Sequence, residues 1–208
     1  MAEYELSLDK TFFFDVQIID TGERKFIGAI VWLYDFQWSS WVRGIDGDEV
    51  LIEQWQKADV VISFNESARV MSLMRSEFGL EHDNYINLID YCDDQLVDTA
   101  DEIELEYPPE LKSFDEVRAV ELWNELIEED PDAMDTLLYF RAWNTILIYN
   151  IFFKVSEGLT PLKIFVPWSI PEHKLAPKNP QNKTPEEMLL DTLQKTYDFS
   201  TPGATADT

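Results

Sequence analysis

Residues 11–42 read TFFFDVQIIDTGERKFIGAIVWLYDFQWSSWV, and this stretch decides the fold. Its first segment, 11–19 (TFFFDVQII), consists largely of aromatic and β-branched residues. Such side chains fit a pleated surface, so the segment is expected to be a strand. Asp20, Thr21, Gly22 and Glu23 supply turn chemistry. The segment 26–34 (FIGAIVWLY) is a second strand, apolar enough to be central in a sheet. A third strand follows over 36–42 (FQWSSWV). Short connections between the three imply an antiparallel meander.

Outward from the meander the texture alternates. Residues 48–57 read as a short helix and 59–64 (DVVISF) as a buried strand. Asn65 is placed at a helix N-cap, with a helix over 66–78 and another strand, or the end of one, over 85–91 (YINLIDY). Residues 93–110 are acidic and run into Pro108-Pro109, which suits an exposed connection or a short helix plus a loop. Val117, Val120, Leu122, Trp123 and Leu126 fall at helical spacing within an amphipathic helix over 114–128. Asp130-Pro131 interrupts it, and a long apolar helix covers 132–155. The expected class is α/β, a mixed sheet with helices on both faces. Residues 1–158 form the domain. Residues 159–208 form a Pro-rich extension packed on it, with one short helix opening at Thr184-Pro185-Glu186-Glu187.

Composition narrows the function. Hydrophobic residues make up 45% of the 208, enough for a core and against disorder. No run approaches the roughly eighteen uncharged apolar residues of a membrane span. The opening Met1-Ala2-Glu3-Tyr4-Glu5 is acidic, unlike a signal peptide, and the single Cys92 forbids an intrachain disulfide. The expected location is the cytoplasm. Forty-one acids against sixteen bases give a net charge of −25. Such a surface repels phosphate backbones and disfavours direct nucleic-acid binding, while suiting a basic or nucleic-acid-associated protein partner. His82, His173 and Cys92 are too few and too scattered for a Cys/His zinc site, and no glycine-rich phosphate loop occurs.

Three segments carry candidate chemistry. Asp15-Val16-Gln17 lies on the first strand, 64–70 (FNESARV) at a strand–helix junction, and 140–145 (FRAWNT) on the long helix. In this order, over roughly residues 11–156, the chain resembles the DEDD 3′–5′ exonucleases, and especially the YprB-like RNase H-like domain family. The resemblance extends to 60–65 (VVISFN), Phe78-Gly79, 87–90 (NLID) and 119–123 (AVELW). It implies an RNase H-like, exonuclease-type fold. In that family the motifs read Asp-x-Glu, Asn-Gly-x-x-Phe-Asp and Tyr-Asn-x-x-Asp. Their four carboxylates hold two divalent ions about 3.5–4 Å apart that clamp the attacking water and the leaving oxygen.

This chain departs from that pattern. Asp15 matches the first acid, whereas Gln17, Val70 and Asn144 stand where the resemblance implies Glu, Asp and Asp, and Asn87 where it often has Asp. Amides keep shape and a carbonyl oxygen but lose the charge, and valine keeps neither. The expectation is a catalytically degenerate homologue, with no cofactor and with Asp15 as the one matching metal ligand. It would act as a binding or regulatory protein. Glu66 and Asp90, with Asp20, are the nearby acids that could refill the site. An active Mg²⁺- or Mn²⁺-dependent 3′–5′ exonuclease using them is the first alternative, and a structural subunit of a larger complex is the second.

Overall fold

The structure is a computed structural model. It describes residues 7–65, 69–92, 95–102, 104–105, 107–111, 114–128, 130–155 and 166–171. By contact the chain divides into two units, Met1–Leu175 and Ala176–Thr208, and every described residue belongs to the first.

The chain is α/β. Strands β1 (Thr11–Asp20), β2 (Lys25–Tyr34) and β3 (Gln37–Val42) form the expected antiparallel meander. The β2–β3 turn places Asp35 and Phe36 at φ +50° and +58°, the twist a two-residue hairpin needs. Helix α1 (Glu49–Lys57) leads to β4 (Val60–Ser63), and α2 (Arg69–Phe78) leads to β5 (Tyr85–Asn87). Both later strands run parallel to β1, giving one mixed sheet in the order β3-β2-β1-β4-β5. Helices α3 (Leu96–Glu102), α4 (Glu116–Ile127) and α5 (Pro131–Val155) follow.

The strand expected over 85–91 stops at Asn87. There the Asn87 amide turns aside to clamp Asn65, accepting from its backbone N–H at 2.9 Å and donating to its carbonyl at 2.7 Å. Leu88–Tyr91 then form a 3-10 turn. The long helix starts at Pro131, one residue earlier than read from the sequence. Pro131 suits the first helical position, and Asp130 Oδ1 accepts from the Asp132 N–H at 3.0 Å. The helix assigned to Thr184-Pro185-Glu186-Glu187 lies outside the described residues. Of the extension, Val166, Trp168 and Ile170 lie against the core, Trp168 edge-on to Trp38 at 6.1 Å.

Alternation along β1 sorts the molecule into two cores. Phe12, Phe14 and Val16 face α1 and α2, packing with Trp32, Leu51, Trp55, Val70 and Met74. Phe12 and Phe14 each meet Trp55 edge-on at 5.3 Å. Such pairs add about 0.5–1.5 kcal/mol beyond their buried area. Phe13 and Ile19 face α4 and α5, packing with Leu122, Trp123, Leu147 and Tyr149. Asp15 and Gln17 share that second face, so the strand's only polar interior residues after Thr11 point at the long helix.

Register shifts between Gln17 and Ile18 against β2, where Gly28 lies between their partners. A Cβ at Gly28 would sit 2.9 Å from Ile19 Cγ1 and 3.0 Å from the Trp123 ring. Gly28→Ala is therefore expected to cost about 1–3 kcal/mol in urea unfolding. A loss below about 0.5 kcal/mol would show that Trp123 yields freely and that the α4 contact is loose.

Candidate functional site

Helix α5 is apolar along nearly its whole length. Residues 136–153 contain one charged side chain, Arg141, and it is 2% exposed. A guanidinium removed from water must find anionic or hydrogen-bonding partners. Two elements supply them. Arg141 Nη1 donates to Asp15 Oδ2 on β1 at 3.0 Å and to Glu116 Oε1 on α4 at 3.0 Å. Nη2 donates to Glu116 Oε2 at 2.7 Å and to Gln17 Oε1 on β1. Glu116 thus takes the guanidinium in the two-pronged geometry that favours arginine over lysine.

The amides complete the cluster. Asn144, one helical turn beyond Arg141, donates through Nδ2 to Asp15 Oδ2 at 3.0 Å. The Tyr107 hydroxyl approaches Asn144 Oδ1 at 3.5 Å. Gln17 accepts from Arg141 and donates through Nε2 to the Ile18 carbonyl at 3.0 Å. An acid at position 144 would face the Asp15 carboxylate as a like charge, whereas the amide meets it as a donor. Arg141 Nε is buried without a partner.

One cation serves two carboxylates, and they share it unequally. Burial pushes the Asp15 carboxyl above its ordinary value, against the opposing pull of Arg141. Desolvation also works against charge on Glu116, but the Arg141 charge and hydrogen bonds outweigh it and hold that carboxyl below the usual range. Glu116 is the member at the mouth, with 68% of its side chain exposed. Burial opposes the charge on Arg141, and the two carboxylates overcome it, so the guanidinium holds its proton more firmly than in water. Burial likewise pushes the Tyr107 hydroxyl up and keeps it neutral.

Of the residues singled out from sequence, the fold brings Asp15, Gln17 and Asn144 together. Val70 lies elsewhere: it is 1% exposed on α2, in the core on the opposite face of the sheet. Asp90 is exposed in the turn after β5 and Asp20 is exposed at the end of β1, where it pairs with Lys25. Glu66 and His173 lie outside the described residues. His82 has both ring nitrogens occupied, Nε2 by the Ala58 carbonyl at 3.0 Å and Nδ1 by the Asn84 N–H at 3.1 Å. Arg141 and Glu116 were not singled out from sequence. The signal for Arg141 was a lone charge inside an apolar helix, which demands a buried partner.

Two divalent ions do not fit this arrangement. Asp15 Oδ2, Gln17 Oε1 and both Glu116 oxygens already accept from N–H donors, and a fixed positive charge stands between them. Among the described residues no three His, Cys, Asp or Glu side chains converge as a metal-binding set. Also among the described residues, no helix is long and apolar enough to cross a membrane. No protein-family model, curated protein or solved structure matches the chain.

Removing the cation leaves Asp15 buried and uncompensated. Arg141→Leu is expected to cost about 3–5 kcal/mol in denaturant unfolding, with part recovered when Asp15→Asn is added. An additive double variant would contradict the coupling. The acid limb is a separate readout. Because the folded value of Glu116 is depressed, its contribution is full above the unfolded value and is lost as pH falls through the folded one. Asp15 runs the other way: its raised carboxyl subtracts stability at neutral pH and is relieved on acidification. The stability gap between the native chain and Glu116→Gln should therefore shrink between neutral pH and about pH 3. A constant gap would contradict the assignment.

Proposed function

We propose that this chain is a catalytically silent protein of the RNase H-like, 3′–5′ exonuclease-type fold, which acts by binding a protein partner and not by cutting nucleic acid. The fold reading is supported by the element order: a three-stranded meander, then two strands parallel to the first, alternating with helices. It is supported further by the meeting of Asp15, Gln17 and Asn144, residues of the first and last motifs, on one face of the sheet.

The observation that carries the functional reading is the Arg141 guanidinium. In the exonucleases that the chain resembles, carboxylates gather to hold divalent cations. Here the polypeptide provides the cation from α5, and the amides at 17 and 144 are matched to it. Positive charge from Mg²⁺ or Mn²⁺ would have to displace a buried, doubly paired arginine. That exchange loses two charge-assisted hydrogen-bond systems and frees only the Asp15 and Glu116 carboxylates, where the exonuclease pattern uses four. The net charge of −25 adds a second obstacle, since each approaching phosphate meets a like-charged surface. The same charge steers a basic protein surface toward the chain.

Calorimetric titration with Mg²⁺ or Mn²⁺ is expected to give no saturable heat, and labelled single-stranded DNA and RNA should remain intact. A Gln17→Glu, Arg141→Leu, Asn144→Asp variant should gain Mn²⁺ binding, and restoring the two acids while keeping Arg141 should not. Metal-dependent trimming by the native chain that disappears in Asp15→Ala would overturn the proposal.

A further inference from the structure

A second site lies on the α2 side of the sheet, where β3 runs out. A cleft of about 340 Å³ opens there between the end of β3, the loop leading to α1 and the last turn of α2. That is the small end of the range for ligand sites, roughly 300–1,000 Å³. Trp41 and Phe78 line it, meeting edge-to-face with centroids 4.9 Å apart.

The polar lining carries both signs. Arg43 is fixed from behind: Nε donates to the Ile27 carbonyl at 2.7 Å, and Nη2 pairs with Glu77. Its guanidinium also stacks 5.1 Å from the Phe26 centroid and 5.4 Å from that of Trp41. Arg24 stands 6.0 Å from the same Phe26 ring. Two guanidiniums thus converge on one phenyl group, and Glu77 neutralises only Arg43. Among the described residues the Arg24 guanidinium takes part in no hydrogen bond or ion pair, an open position for an oxyanion. Also lining the cleft, Asp46 Oδ2 accepts from the Val42 N–H at 2.8 Å, and Asp48 Oδ1 from Trp41 Nε1 at 2.8 Å. Each aspartate commits one oxygen to the fold and, among the described residues, leaves the other uncommitted. Ile45, between two lining residues, is 58% exposed and adds an apolar rim.

This pairing of charges selects the ligand class. A phosphate or dicarboxylate is attracted by Arg24 but repelled by both aspartates. A simple amine meets the reverse. A molecule with a carboxylate and an ammonium close together, on an apolar body, satisfies both ends and the aromatic wall. We propose that this cleft binds a free α-amino acid with an apolar side chain. The carboxylate lies against Arg24 and the free edge of Arg43, the ammonium against Asp46 and Asp48, and the side chain against Phe78 and the exposed Ile45 rim. The site is independent of the Arg141 cluster, which occupies the other face of the sheet.

The test is an NMR titration of the native chain with L-phenylalanine and L-leucine to roughly 10 mM, a range that detects weak sites. The readout is the indole N–H signal of Trp41. Saturable movement is expected with both amino acids. The N-acetylated and the amidated forms should each bind at least about tenfold more weakly, because each loses one charge-assisted contact. Arg24→Ala, a change at an exposed side chain, should weaken binding by a similar factor. Absence of saturation, equal binding of the blocked analogues, tighter binding of inorganic phosphate, or unchanged binding by Arg24→Ala would each overturn the proposal.

Discussion

A guanidinium buried in an apolar helix is the constraint around which the α4–α5 face of this protein is arranged. Arg141 cannot reach water from the middle of α5, so its charge has to be met inside the fold. Asp15 comes from the first strand, Glu116 from the first turn of α4, and Gln17 from two residues further along β1. The cluster therefore ties together β1, α4 and α5, elements more than a hundred residues apart at the extremes. Breaking one partner leaves another charged and desolvated, which costs far more than the intact pair contributes. The amides at 17 and 144 follow from the same constraint. One offers a carbonyl to the arginine and the other an N–H to the aspartate. Carboxylates in both places would leave one cation facing four acids.

The two faces of the sheet treat the motif positions differently. Toward α4 and α5, polar residues persist because the arginine network satisfies them. Toward α1 and α2, Val70 is simply part of a core dominated by Trp32, Trp55 and Phe12. On the proposed reading, a site of converging acids has been dismantled by two separate routes, neutralisation in place and absorption into packing. This leaves a scaffold with an acidic exterior and a centre whose one cation is shared by two carboxylates. Binding is then the role open to it.

The meander was legible because periodicity and β-branched content agree along 11–42, and the helices were legible from spacing and from Asp130-Pro131. The end of β5 was not. Seven residues of strand composition carry no sign that the ladder ends at Asn87, whose side chain holds Asn65, a contact between positions twenty-two apart. Placing Asp15, Gln17 and Asn144 in one cluster was legible from motif order. Their chemistry was not, because motif order assigns no role to Arg141 beside Asn144. Glu116 carried no local signal at all: an acid in the first turn of a helix is commonplace, and only the tertiary fold brings it to Arg141 on α5. Val70 shows the converse, a position fixed by motif spacing that the fold sends to the opposite face.

The most direct measurement is anomalous diffraction from crystals of the native chain soaked in a high concentration of Mn²⁺. The account predicts the Arg141 guanidinium seated between Asp15, Gln17 and Glu116, with no anomalous peak within about 3 Å of the Asp15 carboxylate, where a hard divalent ion would bind. A manganese peak ligated by Asp15, with Arg141 turned away from it, would contradict the claim that the polypeptide supplies the cation of this site.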